Sequence, residues 1–248
     1  KELDMATAVR TAPPTRVPMT STRKTALVAG IFYLITFISI PTLALYGNLK
    51  TDRSFVLGSG GDSGVLWGCI LEVIVAIAGI GTAVTLFPVV KRQNEGFALG
   101  FVASRTLEAA MIFTGVNSLV SLIHLRHDLG TAAGSDAGAL VTNGASLVST
   151  YNSTMQLGQT LMPSINAVLL GYLMYRSGLV PRIIPTLGLI GAPFLMSATL
   201  ATTLGHNQPL SAWSALATLP VAAWELSLGV WLTFKGFKPT PITAAIDA

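Results

Sequence analysis

Charge is what this sequence most conspicuously lacks. Lys, Arg, Asp and Glu make up 10% of its 248 residues, against about 25% in ordinary soluble domains. With 51% hydrophobic residues and a mean hydropathy of +0.64, that scarcity excludes a conventional soluble fold. Cysteine is nearly absent too. The single Cys69 rules out an intrachain disulfide and a cysteine-rich metal site, and its place among Ile and Leu marks it as a small packing residue. There is no Walker-type phosphate loop, dinucleotide fingerprint, Gly-x-Ser-x-Gly elbow or His-Glu-x-x-His spacing. The chain is basic, at net +4. Its basic residues lie beside apolar runs and not in a patch with interleaved aromatics, so nucleic acid is not an expected partner.

What the chain has instead is repeated apolar runs of about 20 residues, each long enough to span roughly 30 Å of hydrocarbon. Six spans are predicted, near Thr25 to Tyr46 (with Pro41), Gly64 to Val90, Phe97 to Leu125, Ser146 to Tyr175, Ile184 to Leu204 and Ala212 to Phe234. Backbone groups in lipid need internal partners, so such spans are helices. The runs do not alternate as barrel strands would. The expected fold class is therefore all-α, a polytopic membrane bundle of six transmembrane helices.

Lys and Arg set the orientation. Arg10, Arg16, Arg23 and Lys24 precede the first span, Lys91 and Arg92 follow the second, Arg176 and Arg182 follow the fourth, and Lys235 and Lys238 follow the sixth. The alternate loops hold only Lys50, Arg53 and Arg126. Both termini are expected to be cytoplasmic. Residues 1–22 read as a flexible basic tail, with Lys1-Glu-Leu-Asp a vector-derived scar before Met5 as the natural start. Residues 23–238 form the membrane domain and 239–248 a C-terminal tail. The two outer loops, Gly47 to Ser63 and Arg126 to Gly144, are rich in small residues, and a short helix is expected near Ala137 to Val141.

Against this background Arg105-Thr-Leu-Glu108 stands out, an ion pair at i, i+3 spacing inside an apolar run. A charge at bilayer depth costs about 2.5–3.5 kcal/mol on insertion scales, so it is paired or leads to water. Glu72 and Glu225 fall in the middle or outer half of their own spans. These groups are expected to converge on the bundle interior, where three carboxylates outnumber one guanidinium. A dry site with that imbalance is suited to exchanging a proton or holding a cation. The fourth span adds Asn152, Gln156, Gln159 and Asn166, which fall within about 80° of one another at 100° per residue. Their amides could orient a polar ligand or brace a carboxylate. Pro163, in the same stripe, is expected to kink the helix by freeing the Gln159 carbonyl. Gly79, Gly81, Gly96 and Gly100 suggest close helix approach.

Other candidates are weaker. His124, His127 and Asp128 lie at one outer end, with His206 in another outer loop, but no metal-ligand spacing supports them, and neither a metal nor a cofactor is expected. Trp67, Trp213, Trp224 and Trp231 suit interfacial anchoring or packing.

Three segments carry a resemblance. Glu95-Gly-Phe-Ala-Leu-Gly-Phe-Val-Ala-Ser-Arg105-Thr-Leu-Glu108 looks like an "aLGyvaaRxxEa" motif. Gly171-Tyr-Leu-Met-Tyr-Arg-Ser-Gly-Leu-Val-Pro-Arg182 looks like "GylxyrSgllPR", and Trp224-Glu225-Leu-Ser-Leu-Gly-Val-Trp-Leu looks like "Exxlxxwl". Together they resemble the bacterial membrane family called domain of unknown function 4386, over about Arg23 to Lys238. The resemblance implies a polytopic protein of the bacterial inner membrane. It places Arg105, Glu108, Pro181, Arg182 and Glu225 on family motif positions and adds no substrate.

Three functions fit these residues. One is binding or carrying a small amphipathic or cationic molecule, with proton coupling, at the carboxylate, arginine and amide site. A second is a non-catalytic membrane scaffold or regulatory subunit. The third, an intramembrane enzyme on a lipid-like substrate, lacks an evident nucleophile. The expected surroundings are the lipid bilayer and a small-molecule or lipid ligand.

Overall fold

The computed structural model describes residues 19–50, 55–58, 61–129, 137–209 and 211–248. No strand occurs among them. Helix α1, Ser21–Ile35, starts where the Thr20 hydroxyl accepts the Arg23 backbone N–H, satisfying one of the free donors of a first turn. The run continues as a 3-10 turn, Thr36–Ser39, and past Pro41 as the single helical turn α2, Thr42–Leu45. Helices α3, Ser63–Val90, and α4, Glu95–Leu129, are joined by a connector in which Asn94 caps α4 by accepting the Phe97 N–H.

Helix α5, Ala137–Gln156, passes through a π-helical turn, Leu157–Leu161, into α6, Met162–Ser177. The turn ends two residues before Pro163, which has no N–H to give the Gln159 carbonyl and whose ring crowds that carbonyl. The wider π turn relieves both conflicts. Gly178 ends α6 with φ +66°, a left-handed cap that glycine adopts without steric cost. Helices α7, Ile183–Thr203, and α8, Ala212–Phe234, follow, the latter capped by Ser211.

Two boundaries differ from expectation. The fourth apolar run begins its helix at Ala137, so the short outer helix is simply its first turns. The helix of the third run extends past Leu125 and carries Arg126 and His127 with it. The basic tail, residues 1–18, lies outside the described residues, as do Arg53 and much of the two outer loops.

Four helices, α3, α4, α7 and α8, are long and apolar enough to cross a membrane. At 1.5 Å rise, the shortest of them, with 21 residues, reaches about 31 Å. The chain has the character of a membrane protein. Helix α1 has only 15 residues, and the fourth apolar run is divided by its π turn.

The helices close into a ring. α1 packs on α3 and α8, α3 on α4, α4 on both α5 and α6, α6 on α7, and α7 on α8. Inside the ring are two apolar clusters. One gathers Tyr33, Ala83, Phe101, Leu170 and Trp224. The other gathers Val75, Ala76, Ala109, Ile112, Tyr151 and Met155. Between these clusters α3 and α4 bury Gly79, Thr82, Ser104, Arg105 and Glu108.

The end where α1 begins and α8 finishes is braced. Arg23 donates to the Leu232 and Thr233 carbonyls at the end of α8, favourable for a cation at a helix C-terminus. Residues 239–248, read from the sequence as a tail, hold helix α9, Pro241–Asp247, with a Thr240–Thr243 capping box. Asp247 accepts the Thr22 N–H at 3.1 Å and the Thr22 hydroxyl at 2.5 Å. Those hydrogen bonds hold its carboxyl below the usual carboxylate range. At the opposite end Arg126 ties α4 to Asp62 and to the Gly58 carbonyl, and lies 4.8 Å over the Phe55 ring.

Candidate functional site

Arg105 is the hub of the polar layer. Its side chain is 3% exposed, and its Nη1 donates to Glu108 Oε2 at 3.0 Å and Oε1 at 3.2 Å. Nη2 donates to Glu225 Oε1 at 2.6 Å, which links α4 to α8 across 120 residues of sequence. The pairing at i, i+3 follows from helix geometry. The link to Glu225 follows from the ring closure that brings α8 round to the α1 side. Gly79 on α3 faces the Arg105 side chain: a Cβ there would sit 3.9 Å from it, an ordinary van der Waals contact. The guanidinium lies 5.5 Å from the Tyr33 ring and 5.8 Å from the Phe101 ring, aromatic faces that attract a cation.

Asn166 on α6 completes the arrangement. Its Nδ2 donates to Glu108 Oε2 at 2.6 Å. Glu108 therefore accepts from two directions. Glu225 is the more open carboxylate, at 16% side-chain exposure against 9% for Glu108. One guanidinium faces two carboxylates, a formal charge of −1 in a layer bounded by apolar side chains. Such a layer can take up a proton or a small cation, and its low dielectric strengthens either interaction.

The structure separates Glu72 from this group. Glu72 is 1% exposed, and its Oε1 accepts the Tyr151 hydroxyl at 2.7 Å. The Tyr46 ring meets Tyr151 edge-on at 5.6 Å, and Gly68 leaves the space that the Tyr46 ring fills. Glu72 lies seven residues before Gly79, about 10 Å along the α3 axis. Ala76, Ala109 and Ile112 lie at the intervening positions. Expected to join Arg105, Glu72 forms a second polar station with two tyrosines.

The amide stripe is also divided. Asn152 is exposed. Gln156 turns to α7 and donates to the Thr203 hydroxyl at 3.0 Å. Gln159 keeps a buried Nε2 with no partner among the described residues. Asn166 alone reaches the arginine site. A uniform helix puts Asn152 about 40° from Asn166, but one extra residue in the π turn moves it to about 140°.

Sequence reasoning missed Tyr33, Tyr46 and Tyr151. A tyrosine inside an apolar span was the available signal, because its buried hydroxyl needs a partner. Of the histidines, His127 is drawn to Asp62 at 2.7 Å, and among the described residues no three potential metal ligands come together. Arg182 lies 5.4 Å over the Tyr175 ring, where α6 gives way to α7.

The model of a family described as Domain of unknown function (DUF4386) matches residues 28–236. No curated protein and no solved structure matches the chain. Arg105, Glu108, Asn166 and Glu225 all fall within the matched span.

Proposed function

The chain belongs to the DUF4386 family, and on that premise we propose that it binds or carries a small cationic or amphipathic molecule, coupled to protons, at the Arg105–Glu108–Glu225–Asn166 site. The observation that supports this reading is the charge imbalance: two carboxylates share one guanidinium in an apolar interior. Interhelical polar contacts in membranes average about 0.6 kcal/mol, a small return for burying three charges. A ligand or proton that fills the charge deficit gives the burial a purpose.

In this reading α1 with its 3-10 turn, α3, α4, the α5–π–α6 run, α7 and α8 make six crossings. Basic residues between α3 and α4 and after α6 and α8 put both termini in the cytoplasm, in a bacterial inner membrane. A second reading, a scaffold, is favoured by one observation. Arg105 bridges α4 and α8 directly and could serve only to lock the ring.

Binding of dansylcadaverine, a fluorescent amphipathic amine, separates the two. The carrier reading expects saturable binding to the purified chain that Glu225→Gln and Glu108→Gln abolish while the variants stay folded. Absence of binding in the native chain, together with lower unfolding temperatures in both variants, overturns it in favour of the scaffold.

A further inference from the structure

Resting on that reading, we infer that the site selects a cation carrying hydrogen-bond donors, a protonated primary amine, over a metal ion or a quaternary ammonium. Asn166 carries the argument. It is 2% exposed, and its Nδ2 donates to Glu108. That contact fixes the amide orientation, because the opposite flip would set an amide oxygen against a carboxylate oxygen. The Asn166 Oδ1 is thereby turned away from Glu108, and it is buried with no donor among the described residues. A buried acceptor left in that state is an uncompensated cost that proteins ordinarily avoid.

Glu225 supplies the charge. Its Oε1 accepts Arg105 Nη2, and no hydrogen bond reaches its Oε2 among the described residues. The site therefore presents a formal charge of −1 with two oxygens, Glu225 Oε2 and Asn166 Oδ1, still able to accept, beside one buried donor, Arg105 Nε, that also has no partner among the described residues. Glu108 is already served by Arg105 and Asn166. An ammonium group supplies the missing charge and three donors in one centre. A tetraalkylammonium supplies the charge and no donor. A hard metal ion seeks about six oxygen ligands, more than this site leaves open, and no group of three metal-ligating side chains forms among the described residues.

The inference is tested on the full chain in nanodiscs at constant ionic strength and pH 7. Ethylammonium, tetramethylammonium and sodium are titrated separately, with binding read by calorimetry and by unfolding temperature. The expected result is saturable ethylammonium binding, with tetramethylammonium and sodium weaker by about tenfold or more. Asn166→Leu is expected to reduce the preference for ethylammonium, and Glu225→Gln to remove binding. Equal binding of ethylammonium and tetramethylammonium, or tighter binding of sodium, overturns the donor inference and leaves the cation reading standing. No binding of any of the three overturns both. The selectivity comparison uses the native chain, so a variant that fails to fold leaves the test intact.

Discussion

Replacing Arg105 by Met keeps much of the side-chain length and deletes the charge. From the structure, Arg105→Met removes the two contacts to Glu108 at 3.0 and 3.2 Å and the contact to Glu225 at 2.6 Å. It leaves two carboxylates facing each other in a nearly dry layer. Breaking a buried ion pair by deleting one partner costs about 3–5 kcal/mol, because the remaining charge is uncompensated. Loss of the Tyr33 and Phe101 ring contacts adds about 0.5–2 kcal/mol. The 16% exposure of Glu225 lowers its share. Together these give about 4 kcal/mol, a large part of the 5–15 kcal/mol that holds a typical domain folded. Equilibrium unfolding in mixed micelles measures it. The double variant Arg105→Met, Glu225→Gln should recover part of the loss, with a coupling energy of about 1–3 kcal/mol. A loss below about 1 kcal/mol for the single variant, or strict additivity in the cycle, would refute Arg105 as the electrostatic hub.

Other perturbations reach different parts of the molecule. Tyr151→Phe strips the hydroxyl that donates to Glu72 and should cost about 1–3 kcal/mol in the same assay, with dansylcadaverine binding unchanged, since the two stations are separate. Gly188→Ala sets a Cβ 2.8 Å from the Trp224 ring; overpacking of that kind costs about 1–3 kcal/mol, and the shift of α8 should weaken amine binding at the adjoining Glu225. Asp247 is held below the usual carboxylate range by Thr22, so its contribution is present above the ordinary carboxylate pKa and is lost as pH falls through the lowered one. Amide protection factors in α9, which are corrected for the intrinsic pH dependence of exchange, should therefore fall on acidification in the native chain and lose that pH dependence in Asp247→Asn.

Much of the site was legible because charge is so scarce. Arg105 and Glu108 could be paired from helix spacing alone, and Glu225 had few other places to go. Depth was harder to read. Helix α3 reaches Glu72 early in its run and Gly79 two turns later, and it is Gly79 that faces Arg105. A residue count without the packing register placed Glu72 too close. The amide stripe failed for a different reason: one extra residue in the Leu157–Leu161 turn rotates everything before it relative to Asn166. Pro163 was visible in the sequence, but whether a proline is accommodated by a kink or by a π turn depends on neighbouring helices. Here Gly158 fits against Met111 on α4, where a Cβ would lie 2.9 Å away.

The central claim is that the Glu225–Asn166 side of the arginine site receives an amine. A crystal structure of the chain soaked with 4-bromobenzylammonium tests it most directly, because bromine is located by anomalous scattering. The account predicts an anomalous peak beside α8 and α6, with the ammonium within hydrogen-bond distance of Glu225 Oε2 and Asn166 Oδ1. Bromine found only elsewhere, with Arg105, Glu108, Asn166 and Glu225 unchanged and unliganded, would contradict it.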